Sequence, residues 1–596
     1  MLLVCVGVVV AHCSREATAP TTGVRSAPLE TNRDALDRRT IDNESRFVLR
    51  GRSNSFAVQV PAGATLSVGV GVSLVSSLNF PAKQWPDDLQ HVDFTVAYED
   101  HSGRRALAQQ RVTRPAVGTG AWNDLVVDLG ALAGAHGTLH FDATSVPAQT
   151  ALDRDIVWTN PRLISPAPTV PTSVILISID TLRADALGCY GYPRPTSPNT
   201  DRMAREGVLF RDVIASSSWT LPAHVSMLTG LDPDRHGVVK FSFFHPLADE
   251  LETLAERLWD AGYETGGLIG GGFVSNDLGF DQGCDRQWEN PDSSGRTDTL
   301  HAVVDRAKPW LAERRGRPFF LFLHTYHVHL PFEPPPPYDT MFDPGYDGPY
   351  KSRLTEKDAF GLVRAKRLGP RLMRHARALY DGEIRDMDAA MGNLVSFLRS
   401  TGLDQHTCVL VTSDHGEEFG EHDGFSHGRA KVYEELIRVP LIVWCPSRVP
   451  RGRVVEDLAS LTDVMPTVLE LAGIAVPDGL DGRSLAPALH GASSPRRAAA
   501  ISEVDGSVDR VEGTVRAVRG PRHKLIASTI DGSELLFDLQ ADPGERADLR
   551  QQAPALARQL RALGDDRARG PAVAAAPAIT PDDAMQERLR ALGYIE

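Results

Sequence analysis

The sequence predicts an α/β fold with a doubly wound sheet, preceded by a β-sandwich and followed by a small α+β subdomain. From residue 172 to 497, buried apolar strands alternate with amphipathic helices, as in doubly wound domains. Between residues 45 and 165, short alternating apolar runs separated by turn residues predict a jelly-roll-like β-sandwich. A chain of 596 residues also exceeds what one hydrophobic core supports, so several domains are expected.

The first 32 residues are expected to be an export segment and a tether. Residues 2–11 are apolar but too few to cross a bilayer, and Val10-Ala11-His12-Cys13 resembles a bacterial lipoprotein cleavage site. We therefore expect an exported protein, periplasmic or attached to the cell envelope through an N-terminal lipid. The Pro-rich residues 165–171 then predict a stiff linker after the sandwich, whose first predicted strand includes Phe47-Val48-Leu49.

Polar side chains follow three predicted strands of the α/β domain. Residues 174–179 lead into Asp180, residues 319–323 into His324, and residues 408–412 into Ser413-Asp414-His415. Ligands of parallel sheets bind beyond the carboxyl ends of the strands, so the sequence predicts a site where these three strands end.

The remaining regions carry weaker signals. Residues 376–398 predict a helix with an apolar face, residues 498–563 the C-terminal subdomain, and residues 564–596 a flexible segment with a terminal helix. The net charge of -14 argues against nucleic acid as a partner. Six cysteines show no CxxC spacing, and Cys408 and Cys445, in strand-like runs, are predicted to be buried thiols without a disulfide framework.

Thr220 lies where a predicted helix begins. Pro222 suits the first helical position and Gly230 suits the stop, which places Thr220 just before the helix. A threonine there is most often a capping residue, but the unpaired N–H groups of a helix start also favour an anion. The sequence leaves both roles open.

A divalent cation would make Thr220 a competent nucleophile, because it lowers the pKa of a hydroxyl. Asp180, Asp414 and His415 are suitable ligands, and the Thr220 oxygen would complete the set. Either aspartate alone would be a turn or cap residue, whereas their joint placement favours a metal site. Ca²⁺, Mg²⁺, Mn²⁺ and Zn²⁺ all stay open.

Histidines concentrate in two loops. His324, His327 and His329 fall within six residues, and His422 and His427 follow the Asp414-His415 pair. Single histidines are usually structural, but such groups could bind a second cation, hydrogen-bond an anion, or protonate a leaving oxygen.

A series of ordered motifs resembles the sulfatase family of the alkaline phosphatase superfamily, over about residues 173 to 596. The motifs are Asp180-Thr181-Leu182-Arg183-Ala184-Asp185, Gly188-Cys189-Tyr190-Gly191-Tyr192, residues 220–230, His329-Leu330-Pro331-Phe332, Tyr380-Asp381-Gly382-Glu383-Ile384, residues 412–416, residues 433–441 and residues 538–545. The resemblance implies an alkaline-phosphatase-type core, a metal site on Asp180, Asp414 and His415, a covalent intermediate on residue 220, and anion recognition by His329.

The chain departs from the family's pattern at three places, and a fourth position is ambiguous. The formylglycine-type sulfatases carry Cys/Ser-x-Pro-x-Arg, whereas this chain has Thr220-Leu221-Pro222-Ala223-His224, so no formylglycine is expected. The double aspartate is Asp180-Thr181, and the Lys-x-His segment is replaced by the Gly-rich residues 266–272. The ambiguous position is the lysine that the family's pattern has before Tyr433, for which this chain offers three candidates: His427, Arg429 and Lys431.

The departures resemble the threonine-nucleophile branch, which includes phosphodiesterases and phosphoglycerol and phosphoethanolamine transferases. We expect a metal-dependent hydrolase of sulfate or phosphate esters that acts through Thr220. His224, His329 and His427 would bind the anion or serve the leaving group, and the substrate would be a small molecule or linked to a glycan or lipid. The alternatives are a phosphodiesterase, a transferase, or an inactive glycan-binding envelope protein.

Overall fold

The computed structural model describes residues 23–41, 44–49, 52–72, 89–113, 122–148, 156–167, 171–239, 244–290, 299–365, 367–427, 430–492, 496–508, 511–567, 573, 576–581 and 583–591. Most of the predicted export segment, with Cys5 and Cys13, and also Arg429 lie outside these residues. Within them, no helix combines the length and apolarity needed to cross a bilayer.

The region before the central domain consists of strands. They are β1 (Gly23–Pro28), β2 (Leu36–Ile41), β3 (Glu44–Leu49), β4 (Ser53–Gln59), β5 (Thr65–Val72), β6 (His91–Asp100), β7 (Gly103–Thr113), β8 (Asn123–Asp128), β9 (His136–Val146), β10 (Ile156–Trp158) and β11 (Arg162–Ala167). One antiparallel sheet has the order β4-β9-β6-β7, and a second has the order β1-β11-β5-β10 with β8 beside β5. Leu66, Phe94, Phe141 and Trp158 from the two sheets share one hydrophobic core.

The central domain follows. Its strands are β12 (Ser173–Ile179), β13 (Val208–Ile214), β14 (Glu264–Ile269), β15 (Arg286–Glu289), β16 (Phe319–Thr325), β17 (Thr407–Thr412), β18 (Glu418–Phe419), β19 (Phe425–Ser426), β20 (Arg438–Trp444), β21 (Arg453–Val455) and β22 (Ala459–Ser460). Its helices are α1 (Pro198–Glu206), α2 (Thr220–Thr229), α3 (Pro233–His236), α4 (Leu254–Asp260), α5 (Leu300–Ala312), α6 (Tyr338–Met341), α7 (Glu356–Arg364), α8 (Pro370–Thr401), α9 (Glu434–Ile437), α10 (Val464–Leu471) and α11 (Ala486–Leu489).

The main sheet lies between two layers of helices, which confirms the mixed α/β class. Its order is β2-β3-β15-β14-β16-β12-β17-β20-β13-β21, with β14, β16, β12 and β17 parallel and β20 antiparallel to both neighbours. Val174 and Leu176 of β12 pack on the side of α2, α4 and α10. Ile175 and Ile177 pack on the side of α1, α5 and α8. Because both faces are covered, the strand is apolar throughout rather than alternating.

The expected boundary between sandwich and central domain differs from the structure at two places. Strand β3, expected in the sandwich, pairs antiparallel with β15 at the edge of the main sheet. Strand β1, within the expected tether, pairs with β11, which itself runs into the expected linker. The alternating pattern of a strand does not show which sheet the strand joins. Here an ion pair between Arg286 of β15 and Glu44 of β3, at 2.7 Å, links the two strands.

The prediction of buried thiols at Cys408 and Cys445 is wrong, because the two form a disulfide. Cys408 lies in β17 and Cys445 directly follows the neighbouring strand β20, and the register that pairs Val409 with Trp444 brings the cysteines face to face. Their sequence separation of 37 hides this proximity from any spacing rule. Cys189 and Cys284 are the free cysteines of the described residues.

The C-terminal part adds a small antiparallel sheet and two helices. The elements are β23 (Ala500–Val508), β24 (Val511–Arg519), β25 (His523–Ser528), β26 (Glu534–Asp538), α12 (Pro554–Arg567) and α13 (Asp583–Ala591). Ala557 and Leu560 of α12 pack on Ile501 and Val518 of the sheet. Leu589 of α13 is buried in the central core, so the terminal helix packs against the main domain.

Candidate active site

The three strands that the sequence singled out are neighbours in the main sheet. β12 pairs in parallel with β16 on one side and with β17 on the other, which confirms their predicted meeting. Asp180 follows β12, His324 is the penultimate residue of β16, and Asp414 and His415 follow β17. All four side chains are buried. The parallel register therefore brings together residues that are far apart in the sequence.

Asp180, Asp414 and His415 have the arrangement of a cation site. One ligand atom from each lies within 4.8 Å of the others. Asp414 Oδ1 accepts hydrogen bonds from the backbone N–H of His415 at 2.8 Å and of Thr181 at 3.2 Å. Asp414 Oδ2 and both Asp180 oxygens are buried and accept no hydrogen bond from the described residues. Buried carboxylate oxygens without donors fit a divalent cation, which these three residues could hold.

The two buried carboxylates repel each other electrostatically. Burial, followed by the nearby charge of Asp414, raises the pKa of Asp180 well above its usual value. A positive charge between the two groups would remove this repulsion.

The ring of His415 is oriented by the backbone. Its Nδ1–H donates to the carbonyl of Gly416 at 3.0 Å, which leaves a lone pair on Nε2. Nε2 lies 3.2 Å from Thr220 Oγ1 and 3.3 Å from Asp414 Oδ2. Gly416 is required here, because a Cβ at this position would lie 2.0 Å from the carbonyl oxygen of Glu435.

Thr220 is the first residue of helix α2, not the residue before it. Trp219 is the N-cap, with extended backbone and no side-chain capping bond, and Pro222 is the third helical residue. The prediction that Thr220 caps the helix is therefore wrong. The predicted stop is confirmed, because Gly230 ends the helix with φ of 72°. Thr220 instead directs a buried hydroxyl towards His415 from the positive end of a helix dipole.

Thr181 supports the turn that presents Asp180. Its φ of 58° is unusual for a β-branched residue and indicates local strain. Three hydrogen bonds offset the strain: Thr181 N–H donates to Asp414, its hydroxyl donates to Val328 O, and its carbonyl accepts from the Tyr380 hydroxyl. The residue that replaces the second aspartate of the family's pattern thus has a structural role here.

His224 lies one helical turn beyond Thr220, and both of its ring nitrogens have partners in the protein. Nδ1 is 2.8 Å from the Thr220 carbonyl oxygen, and Nε2 is 2.9 Å from Ser178 Oγ. Nδ1 also lies 3.6 Å from Asp414 Oδ2. Burial lowers the pKa of His224, which favours the neutral ring. These contacts fit a residue that positions the helix start and Asp414.

His324 is a site residue to which sequence reasoning gave no role of its own. Its Nδ1 accepts the Gly270 N–H at 3.3 Å, so the hydrogen is on Nε2, 3.6 Å from Asp180 Oδ2. The signal was present, because His324 ends the strand beside the one that delivers Asp180. Gly270 belongs to the Gly-rich segment that replaces the family's Lys-x-His, so this segment contacts His324 through its backbone.

His329 and His427 lie on the other side of His415. The ring of His427 is 4.4 Å from that of His415 and 4.9 Å from that of His329, between centroids. His329 Nδ1–H donates to Leu330 O at 2.5 Å, and burial lowers the pKa of His329 to about 3. His427 Nδ1–H donates to Glu417 Oε1 at 3.2 Å.

Glu417 was missed by the sequence analysis. It is buried two residues after His415, and burial raises its pKa to about 7. Its position in the same strand-end loop as Asp414 and His415 was the signal. Through its hydrogen bond Glu417 fixes the ring of His427 with Nε2 directed away from the pair.

The other candidates lie elsewhere. Lys431 Nζ donates to both oxygens of Glu418 and to the carbonyl of His422. His422 stacks on Tyr433, and His327 lies between the Leu300 N–H and Asp386. Of the described candidates for the family's basic position, His427 is the one in contact with the site imidazoles.

Comparison with known proteins decides the family. The sequence profile of the sulfatases matches residues 172–474, which is half of the chain. The chain belongs to the sulfatase family. A second profile, the C-terminal region of N-sulphoglucosamine sulphohydrolase, matches residues 420–563.

Individual sulfatases and relatives agree. The chain is 29% identical over 460 residues to arylsulfatase A of Homo sapiens, covering 64% of this chain and 83% of that protein. It is 28% identical over 472 residues to the multifunctional alkaline phosphatase superfamily protein PehA of Trinickia caryophylli, covering 63% and 91%. A phosphonate monoester hydrolase from Silicibacter pomeroyi has a TM-score of 0.54 and 26% identity, covering 67% of this chain and 96% of that one. The chain is therefore a sulfatase-like ester hydrolase.

Proposed function

We propose that this protein is a metal-dependent hydrolase that cleaves sulfate or phosphate esters through a covalent intermediate on Thr220. The observation that carries the proposal is the Thr220 hydroxyl at a helix start, 3.2 Å from His415 Nε2 and beside two buried carboxylates with unpaired oxygens. A nucleophile, a cation site and imidazoles that face one place are what ester cleavage at sulfur or phosphorus requires.

Asp180, Asp414 and His415 would hold the cation, and Thr220 would supply a further oxygen. A divalent cation bound there supplies positive charge that lowers the pKa of the Thr220 hydroxyl and balances the charge of the transferred group. The lone pair of His415 Nε2 and the free oxygens of the two aspartates point to the same place. The chemistry of this donor set does not select one metal among Ca²⁺, Mg²⁺, Mn²⁺ and Zn²⁺.

In the first step Thr220 Oγ attacks the sulfur or phosphorus in line with the leaving oxygen. The hydroxyl proton passes to solvent, the new bond to Thr220 forms, and the bond to the leaving alcohol breaks. His427, oriented by Glu417 through Nδ1–H, acts in its protonated form: it gives the Nε2 proton to the leaving oxygen and becomes neutral. His329 is held neutral by burial, and an incoming anion favours its protonated form, which would donate to a non-bridging oxygen.

In the second step water replaces the alcohol. The neutral His427 takes a proton from the water as its oxygen attacks the ester. The bond to the Thr220 oxygen breaks, sulfate or phosphate leaves, and the Thr220 oxygen takes a proton from solvent. His224 and Ser178 hold the first turn of α2 in place during both steps. An acceptor alcohol in place of water would give the transferase alternative.

A second candidate, chemistry at phosphorus, is favoured by one specific residue. Thr220 stands where formylglycine-type sulfatases have cysteine or serine, which supports the threonine-nucleophile branch and a mechanism without formylglycine. The likeness to a phosphonate monoester hydrolase supports chemistry at phosphorus, whereas the likeness to arylsulfatases supports sulfate esters. The substrate would be a small molecule or a glycan- or lipid-linked ester.

We also propose that the protein is exported and that its N-terminal sheets form a β-sandwich. The shared core of the two sheets supports a sandwich. The Cys408–Cys445 disulfide supports an oxidising compartment such as the periplasm. Fractionation of cells followed by alkylation of free thiols and mass spectrometry tests this; a cytoplasmic protein with both thiols reduced would contradict it.

The experiment that tests the enzyme proposal uses the purified full chain. Metal content is measured first, and then turnover of an aryl sulfate, a phosphate diester and a phosphonate monoester by the wild type and by Thr220→Ala. We expect stoichiometric metal, turnover of at least one ester, and its loss in Thr220→Ala. A silent panel without metal would favour the inactive binding protein, and full activity in Thr220→Ala would overturn the covalent mechanism.

A further inference from the structure

A cavity beside the candidate active site has a charge that the ester chemistry does not explain. It has a volume of about 430 Å³, within the range of small-molecule sites. His329 and Tyr326 form part of its wall, and the ring of His329 lies 4.9 Å from that of His427, between centroids. The cavity is therefore next to the imidazoles of the candidate active site.

The lining of the cavity is acidic. Four carboxylates line it, and no arginine or lysine is among the lining residues that the structure describes. The carboxylates are Glu333, Asp339, Glu383 and Asp386. The cavity contacts the candidate active site through His329. A molecule that enters the cavity would meet these carboxylates.

The carboxylates differ in their partners. Asp386 accepts hydrogen bonds from His301 at 3.2 Å and from His327 at 3.1 Å, and Glu333 pairs with Arg353 at 3.0 Å. Glu383 accepts the backbone N–H of Glu333 at 2.6 Å. Burial, with the neighbouring charges of Asp386 and Glu333, raises the pKa of Glu383 well above its usual value. Asp339, half-buried in the short helix α6, pairs with none of the described cations.

We propose that this cavity receives the leaving group of an ester bound at Thr220 and selects leaving groups that carry a positive charge, such as an amino alcohol or an amino sugar with a free amine. The inference rests on the proposed function at Thr220 and names the substrate class of that site. The ester end is anionic and meets the imidazoles, whereas the ammonium end meets the carboxylates and the face of Tyr326. A leaving group with further sulfate or carboxylate groups would be repelled by the same carboxylates.

The test compares two alcohols of the same shape. Choline and 3,3-dimethylbutanol differ in one atom, a quaternary nitrogen against a quaternary carbon, so only the charge changes. Each is supplied as its sulfate ester and as its phenylphosphonate monoester, and a third ester carries a terminal carboxylate. We expect kcat/KM for the choline ester to exceed that of its neutral counterpart about tenfold or more, with the carboxylate ester slowest.

Two variants test the residues behind the preference. Asp339→Asn removes the charge that pairs with no described cation. Glu383→Gln removes the carboxyl group that a bound ammonium would hold ionised, and it keeps an acceptor for the Glu333 N–H. Each is expected to lower the choline preference about threefold or more, through KM rather than kcat. Asp347→Asn is the matched control, because Asp347 is exposed on the same stretch of chain and does not line the cavity. It should leave the preference unchanged.

Binding separates this inference from the proposed function. Calorimetry on the same protein measures choline against 3,3-dimethylbutanol without any turnover. If no ester is cleaved, the function at Thr220 falls, and tighter binding of choline still supports a cavity that binds cations. Equal binding of the two alcohols, an equal or reversed kcat/KM, or a preference that survives both cavity variants would overturn the inference.

Discussion

The buried acids of the candidate cation site and the buried acid Asp386 beside the cavity differ in the hydrogen-bond partners of their carboxylate oxygens. Asp180 and Asp414 present three oxygens that accept no hydrogen bond from the described residues. Asp386, next to the cavity, gives each oxygen to an imidazole, His301 or His327. Unpaired buried carboxylates cost stability and indicate a bound cation, whereas paired ones stabilise the fold. Partners, rather than burial or residue type, separate a ligand site from a structural network.

The largest expected effect follows from substituting Asp180 with Asn. Loss of a cation ligand should lower kcat/KM about 10³-fold or more and remove bound metal. In the absence of metal the same variant should be at least as stable as the wild type at neutral pH. Burial and Asp414 raise the pKa of Asp180, so its charge is a cost that grows as pH rises above the usual aspartate range.

Metal analysis and unfolding in urea, each with and without a chelator, measure both effects. An Asp180→Asn protein that keeps its metal and its rate, or that unfolds far more easily than the metal-free wild type, would show that Asp180 is a structural acid like Asp386.

Glu417 is intermediate between these two cases. It is buried near the candidate cation site, and one of its oxygens accepts a hydrogen bond from His427. Glu417→Gln keeps the size and an acceptor oxygen and removes the charge. We expect kcat to fall about 10- to 100-fold for esters with poor leaving groups. Aryl esters with good leaving groups should be affected much less, since they need little protonation.

A series of esters with leaving groups of graded pKa provides the measurement. An equal loss for every ester would show that Glu417 stabilises the site instead of orienting a proton donor, and an unchanged rate would remove it from the mechanism.

The sequence predicted the strand ends well because that part of the fold is local. Asp180, His324 and Asp414 each follow an apolar run, and the parallel order of such runs brings their ends together. The role of Thr220 depended on where the helix begins: the helix starts two residues earlier than the position of Pro222 predicted, which makes Thr220 its first residue. Glu417, two residues after His415, could have been included on position alone.

Other features could not be derived from the sequence because they depend on which strands become neighbours. The pairing of β3 with β15 and the Cys408–Cys445 disulfide both follow from sheet order. The acidic cavity likewise combines a proline-rich loop, helix α6 and helix α8, and each carboxylate alone would pass for a surface charge.

The smallest expected effect comes from the paired acid. Asp386→Asn should lower the free energy of unfolding by about 1–3 kcal/mol, because it weakens two hydrogen bonds to imidazoles. Although burial opposes it, hydrogen bonds from His301 and His327 hold the pKa of Asp386 well below its usual range. The stabilisation is therefore present above the unfolded pKa of about 4 and is lost as pH falls below it.

Urea unfolding of wild type and variant from pH 5 to pH 3 follows this difference, which should shrink with acidity. A variant as stable as the wild type at pH 5, or a difference that grows in acid, would mean that Asp386 is not held by its imidazoles.

The most direct test of the account is to find the ester on Thr220. The enzyme is mixed with an activated sulfate or phosphonate ester, quenched in acid during turnover, digested and analysed by mass spectrometry. The account predicts one sulfuryl or phosphonyl group on Thr220 itself in the wild type, and none in Thr220→Ala. Turnover without any adduct on this residue, or an adduct on another side chain, would contradict it.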